Sequence, residues 1–221
     1  MKQLAAALLA VFTLAGAHAG VIVSNTTQYN NGFSVSTTDL LQTHLQSSSF
    51  SGNSFTTEGA KGSSAFNNGL FGGQGNQGNG GEAATGALNS ATFTFDRAYN
   101  LTSIDSYAGW DAYRGGQSYD LFYATSSAPS TWILLTTVFN DATGVGIGNT
   151  NTRENIVASS GFLASNVASL RFDFKNNLSQ GYAGYREIDV QGSAVVPEPG
   201  NIALFGLGLA GLALFGRRKQ A

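Results

Sequence analysis

The chain has 221 residues, of which only 11% are charged, a formal net charge of −2 and no cysteine. This composition argues against nucleic acid as a partner, because phosphate binding needs clustered Lys and Arg. It also rules out disulfide staples, a zinc site with cysteine ligands and a Cys-His nucleophile pair. The polar fraction is mostly Ser, Thr, Asn and Gly, so surface contacts fall to neutral hydrogen-bonding groups and exposed aromatics, an environment suited to sugars.

Met1-Lys2 gives a positive start, residues 4–15 a mostly apolar run, and Ala17-His18-Ala19 the small residues of a cleavage site. Residues 1–19 therefore read as a secretory signal peptide cut before Gly20, with an N-terminal membrane anchor as the alternative. After export His44 is the one histidine left. Setting aside both ends of the chain leaves seven cations against twelve anions, a net charge of −5 on an exported body. Residues 20–193 suit a single domain.

Within that body, Val21-Ile22-Val23 and Phe33-Ser34-Val35 suggest one or two strands. Asp39 is placed to cap a short helix in which Leu40, Leu41 and Leu45 share a face; an irregular strand is the alternative. Residues 67–81 are rich in Asn and Gly and read either as a long surface loop or as a loop offering oxygen ligands to a cation. Beyond Ala91 the strand pattern sharpens. Thr92-Phe93-Thr94-Phe95 alternates, and residues 101–104, 118–124, 156–157, 169–174 and 185–190 form further short apolar-polar runs. Residues 131–139 are mostly apolar and predict a strand buried on both faces. Short strands separated by Gly, Asn and Ser turns, with no long helical period, predict an all-β sandwich.

Nothing in the sequence assembles a catalytic centre. No serine sits in Gly-x-Ser-x-Gly. Carboxylates suited to glycoside hydrolysis exist at Asp105, Asp111, Asp120, Asp173, Glu187 and Asp189, but nothing pairs two of them across a bond. Glu187 and Asp189 lie two residues apart on a predicted strand, hence on one face. The expectation is a non-catalytic protein.

The last segment, 194–221, is of a different kind. Pro197-Glu198-Pro199 precedes an uncharged run of Leu, Ala, Phe, Ile and Gly, closed by Arg217-Arg218-Lys219. Residues 201–216 predict a transmembrane helix, since only a helix satisfies its own backbone in lipid. The basic cluster would stay on the cytoplasmic side, with the body outside. A buried C-terminal core helix is the alternative. The order of these three features resembles the PEP-CTERM sorting signal of Gram-negative bacteria. That resemblance implies processing by exosortase, a membrane protease and transpeptidase. It also implies export to the cell envelope or beyond and company with exopolysaccharide.

A second resemblance covers about half the chain. The run from Phe93 to Ile104, the stretch Trp110-Asp111-Ala112-Tyr113-Arg114-Gly115-Gly116, the strand 119–125, Trp132-Ile133-Leu134-Leu135 and the closing Tyr185-Arg186-Glu187-Ile188-Asp189-Val190-Gln191-Gly192 are similar to the galactose-binding-like jelly roll of discoidin and carbohydrate-binding modules. It implies a jelly-roll β-sandwich that binds polysaccharide. It also implies a structural calcium held by Glu187 and the Asn68-Gly69 loop, where Asn68 replaces the usual aspartate and no Thr-x-Trp follows. For ligand contact the expected residues are Trp110 and Tyr113, by stacking on a sugar, and Arg114, by paired hydrogen bonds. The alternatives are a core position for Trp110, a polar turn for Arg114 and a hydrogen-bonded carboxylate for Glu187.

Overall fold

The computed structural model describes residues 20–52, 62–71, 83–85, 89–109, 114–142, 149–175, 177–179, 181 and 183–196. The predicted signal peptide, the transmembrane helix and basic tail, Pro197-Glu198-Pro199, Trp110 and Tyr113 lie outside them. No helix among the described residues is long and apolar enough to cross a membrane.

The described residues form nine strands: β1 (Val21–Tyr29), β2 (Leu45–Ser51), β3 (Ala83–Thr85), β4 (Ser90–Gly109), β5 (Gln117–Thr125), β6 (Ala128–Asn140), β7 (Thr150–Ala158), β8 (Ala164–Phe174) and β9 (Ala183–Ala194). All pairs are antiparallel and belong to one sheet. Where the sequence suggests separate strands at 92–95 and 101–104, the structure has one strand of 20 residues. The first part of β4 pairs with β2 and β8, the last part with β7 and β9. Its ladder shifts register between Thr94 and Tyr99. Such irregularities bend a strand and increase its twist, and here the sheet curls into two facing layers, β2-β4-β8-β5-β6 and β1-β7-β4-β9-β3.

The inner faces follow the period-2 rule. Phe93, Tyr119, Leu121, Leu170 and Phe172 of one layer meet Ile104, Ile156, Tyr185, Ile188 and Val190 of the other, all fully buried. Tyr185 ties the layers together. Its ring lies 4.7 Å from that of Phe174, and its hydroxyl accepts a hydrogen bond from the Ser118 amide. A 3-10 turn (Gly62–Phe66) drives Phe66 into this core, against Phe50, Phe93, Phe174 and Tyr185.

The uncertain region after Ser36 contains both predicted forms. Asp39 caps a single helical turn, α1 (Leu40–Thr43), accepting from the Leu41 amide, and Leu45 then opens β2. His44 is partly exposed beside Asp96. The 131–139 expectation fails, because β6 is the edge of its layer and leaves Leu134 53% and Phe139 58% exposed. An edge strand has a neighbour on only one side, so apolar composition alone does not bury it.

Candidate functional site

The sequence-predicted pair Glu187 and Asn68 does come together, and a bulge explains how. In β9 the register against β4 shifts between Tyr107↔Glu187 and Ala108↔Tyr185. One residue, Arg186, is thereby added. Tyr185 and Ile188 both face the core, whereas Glu187 and Asp189 turn to the outer face of the layer. That face is not wet. The chain between Ser36 and Gln42 and the segment 67–71 lie over it, and Glu187, Asp189 and Asp39 are all buried.

Glu187 is ringed by hydrogen-bond donors. Its Oε2 accepts the backbone N–H groups of Asn68 (3.1 Å), Gly69 (2.9 Å) and Leu70 (3.3 Å), and its Oε1 accepts from Gln42 Nε2 (3.2 Å). Successive amides converging on one oxygen need an unusual backbone, which Gly69 supplies at φ +71°. Asp189 Oδ2 accepts from the Ser36 amide and the Tyr107 hydroxyl. Asp39 Oδ1 accepts from the amides of Leu41 and Val190. Further along this face Asp105 receives Arg153 Nε and Asn155 Nδ2, both at 2.8 Å.

The electrostatics follow from burial. Loss of water, then the neighbouring Asp189 charge, pushes the Glu187 carboxyl up to about 9, against the pull of its amide donors. Burial likewise raises Asp189 to about 6 and raises Asp39. Arg153 offsets only Asp105 directly and is itself raised by that bond. Glu187 therefore keeps a proton at neutral pH, beside an Asp189 that is mostly ionised there.

This donor set does not fit a calcium ion. Both oxygens of Glu187 already accept N–H groups, and Asn68 Oδ1 accepts the Leu70 amide. A hard cation needs oxygen lone pairs directed at it. Among the described residues no three Asp, Glu, His or Cys side chains are grouped to hold a metal.

The predicted ligand arginine is not at the surface. Arg114 is buried, and its carbonyl accepts the Gly184 amide. The turn is tight: a Cβ on Gly115 would lie 2.4 Å from the Thr150 carbonyl oxygen. Gly115→Ala is expected to cost about 1–3 kcal/mol through this backbone clash, read as a lower melting temperature.

The other layer carries an arrangement the sequence reading passed over. Arg171 on β8 sits between the rings of Phe122 and Trp132, its guanidinium 4.7 Å from each centroid, and donates to Asp173 at 3.0 Å. Alternation places Arg171 and Asp173 on one face, but only the β5–β8 register brings Phe122 opposite Arg171.

A PEP-CTERM protein-sorting motif matches residues 195–219. No curated protein matches the chain in sequence. Among solved structures, a pectin-binding carbohydrate-binding module is similar at 11% identity and TM-score 0.42, with 69% of this chain and 94% of that one covered. The CBM32-1 module of a family 31 glycoside hydrolase from Clostridium perfringens is similar at 8% identity and TM-score 0.43, covering 69% and 99%. An F5/8 type C domain from Bacteroides fragilis is similar at 12% identity and TM-score 0.36, covering 52% and 76%.

Proposed function

We propose that this is an exported protein of the cell envelope or extracellular matrix, processed by exosortase, whose β-sandwich is a non-catalytic polysaccharide-binding module. The observation that carries the reading is the sorting motif at 195–219, which follows directly on the last strand. It speaks for export and cell-surface sorting, so the body meets the polymers outside the cell. The character of that body supports the second half: few charges, many neutral hydrogen-bonding groups, and rings set on a sheet face beside Arg171.

The test is binding of the full-length protein, in detergent, to arrayed polysaccharides. Saturable binding to at least one of them is expected. Trp110→Ala then examines the stretch singled out by sequence, since losing a stacked ring weakens sugar binding by about tenfold. Unchanged binding in that variant removes Trp110 from the site without touching the rest.

A second reading is a structural matrix or adhesion component with no small ligand. It is favoured by the apolar side chains on two of the edge strands, Ile22, Val23 and Tyr29 of β1 and Ile133, Leu134 and Phe139 of β6. Failure to bind any glycan, together with concentration-dependent self-association, would select it.

A further inference from the structure

β1 and β6 are the edges of their layers and lie on the same side of the sandwich. A buried carboxylate fixes that placement. Glu154 on β7 accepts Asn25 Nδ2 from β1 and Asn140 Nδ2 from β6, each at 2.7 Å. Asn25 therefore faces inward, and so do Val23 and Tyr29, which share its parity on the strand. Ile133 of β6 faces inward as well, opposite buried Tyr123. Val23, Tyr29 and Ile133 are nevertheless 38–44% exposed. Among the described residues nothing closes the two layers over them.

The backbone of β1 is open too. Ser159 N–H donates to the Gly20 carbonyl and Asn30 N–H to the Asn149 carbonyl, at the two ends of an unbroken β1–β7 register. Even-numbered residues thus spend their backbone groups on β7, and Val21, Val23, Asn25, Thr27 and Tyr29 direct theirs away from it. Proteins blunt such edges with charge, proline, bulges or brevity. The other edges among the described residues show these devices. β6 carries Pro129 and register shifts, β2 a register shift, and β3 has three residues. β1, Val-Ile-Val-Ser-Asn-Thr-Thr-Gln-Tyr, has none of them.

We propose that this side of the sandwich docks a second copy of the chain, β1 pairing antiparallel with its counterpart about a two-fold axis at Asn25. The inference rests on the second reading above, self-association, and is independent of glycan binding. Full overlap sets Val21 opposite the partner's Tyr29, Val23 opposite the partner's Thr27 and Asn25 opposite itself, with about ten new backbone hydrogen bonds. Tyrosine across from valine is a favourable cross-strand pair. β1 has no charged side chain, so no charge meets its like across the axis. A strand of nine residues is about 30 Å long and the layers lie about 10 Å apart, so with strand widths this side offers roughly 30 by 20 Å. Two copies bury about 1,200 Å² in this way, the lower end of stable interfaces. The pairing consumes the one unblunted edge among the described strands of each copy, so it closes at a dimer. Each sorting motif begins at the Val21 pole of its own copy. The two motifs of a pair therefore start at opposite ends, and the copies meet head to foot, as from two facing surfaces.

Sedimentation of the full-length protein in detergent is expected to show a monomer–dimer equilibrium. Thr27→Pro deletes an outward N–H at a position where an edge strand tolerates proline, and Ser24→Lys puts a charge on the edge of each copy. Each is expected to weaken dimerisation by at least about tenfold, with circular dichroism and melting temperature near wild type. Ser24 falls opposite the partner's Thr26 in a pair without mutual hydrogen bonds, where Cα atoms are about 4.5 Å apart and within disulfide reach. The chain has no cysteine, so Ser24→Cys/Thr26→Cys is expected to give a covalent dimer on oxidation. That cross-link decides the case where an edge variant fails to fold. Association that persists in both folded edge variants, or that gives no cross-link, runs through another surface such as the tail. Either result overturns the β1 pairing and leaves the second reading standing. A wild-type protein that stays monomeric overturns the pairing and the self-association of that reading together.

Discussion

Acidification from pH 8.5 to pH 5 is expected to stabilise this protein, contrary to the usual loss of stability in acid. The sign comes from Glu187. Its carboxyl ordinarily titrates near 4.5 and is raised in the fold to about 9. Between those values the folded chain keeps a proton that the unfolded chain releases, so raising the pH favours unfolding. One proton is worth about 1.4 kcal/mol per pH unit, or roughly 3–5 °C in melting temperature for a domain of this size. Asp189, raised to about 6, adds to the same trend below that pH, and Asp39, raised by burial, acts in the same direction. Asp96 and Asp120 have lowered values and act in the opposite direction only below their ordinary value of 3.8, outside this range.

Glu187→Gln isolates the effect. The glutamine carbonyl still accepts the amides of residues 68–70, while the titration is gone. Melting temperature in the variant is expected to be flat from pH 6 to pH 8.5, above wild type at pH 8.5 and near it at pH 5. Chelation with EDTA is expected to change neither curve. A calcium ion at this centre would reverse every sign: stability rising with pH, falling on chelation and falling in Glu187→Gln. Melting curves of both proteins at four pH values, with and without EDTA, decide between a proton and a metal.

Phe66→Ala is expected to be the most damaging single truncation. The ring is fully buried and touches four other aromatic side chains drawn from β2, β4, β8 and β9. Removing it opens a cavity that rigid sheets on several sides are poorly placed to refill. Losses of about 3–5 kcal/mol are typical of such sites, which lowers the melting temperature by roughly 10 °C. Chemical denaturation with an unchanged m-value would show that stability alone has moved. A fall below about 1 kcal/mol would mean that the 3-10 turn is not part of the cooperative core.

The contrast between Phe66 and its neighbours shows what sequence alone conveys. Alternation at 92–95, 169–174 and 185–190 was enough to find strands, because each has one face turned to the core. The same rule put Glu187 and Asp189 on one face, which is correct. It had no means of saying that this face is roofed by residues 36–42 and 67–71, since the covering segments are more than a hundred residues away in sequence. Resemblance brought Asn68 and Glu187 together, but the contact runs through backbone amides, which no side-chain pattern encodes. The bulge at Arg186 is invisible for the same reason. β6 shows the opposite failure: its apolar run looks central, and only the order of strands reveals it as an edge.

The two ends of the body share one pole. Val21 pairs with Ala158 and Tyr99 with Ala194, while Ser103 links the two ladders through Val157 and Gln191. Val195 still donates to the Ala98 carbonyl, although the sorting motif begins at that same residue. The described chain thus stays hydrogen-bonded to the sandwich up to the first residue of the sorting motif. From Tyr99 to Ser90 the strand climbs nine residues, about 30 Å at 3.3 Å each. Ser90 is consequently nearly four Debye lengths along the strand from the pole that carries the motif, at a physiological Debye length of about 8 Å. A charge fixed at that pole is screened out over this distance, so the opposite end of the sandwich keeps its own electrostatics whatever the motif is joined to.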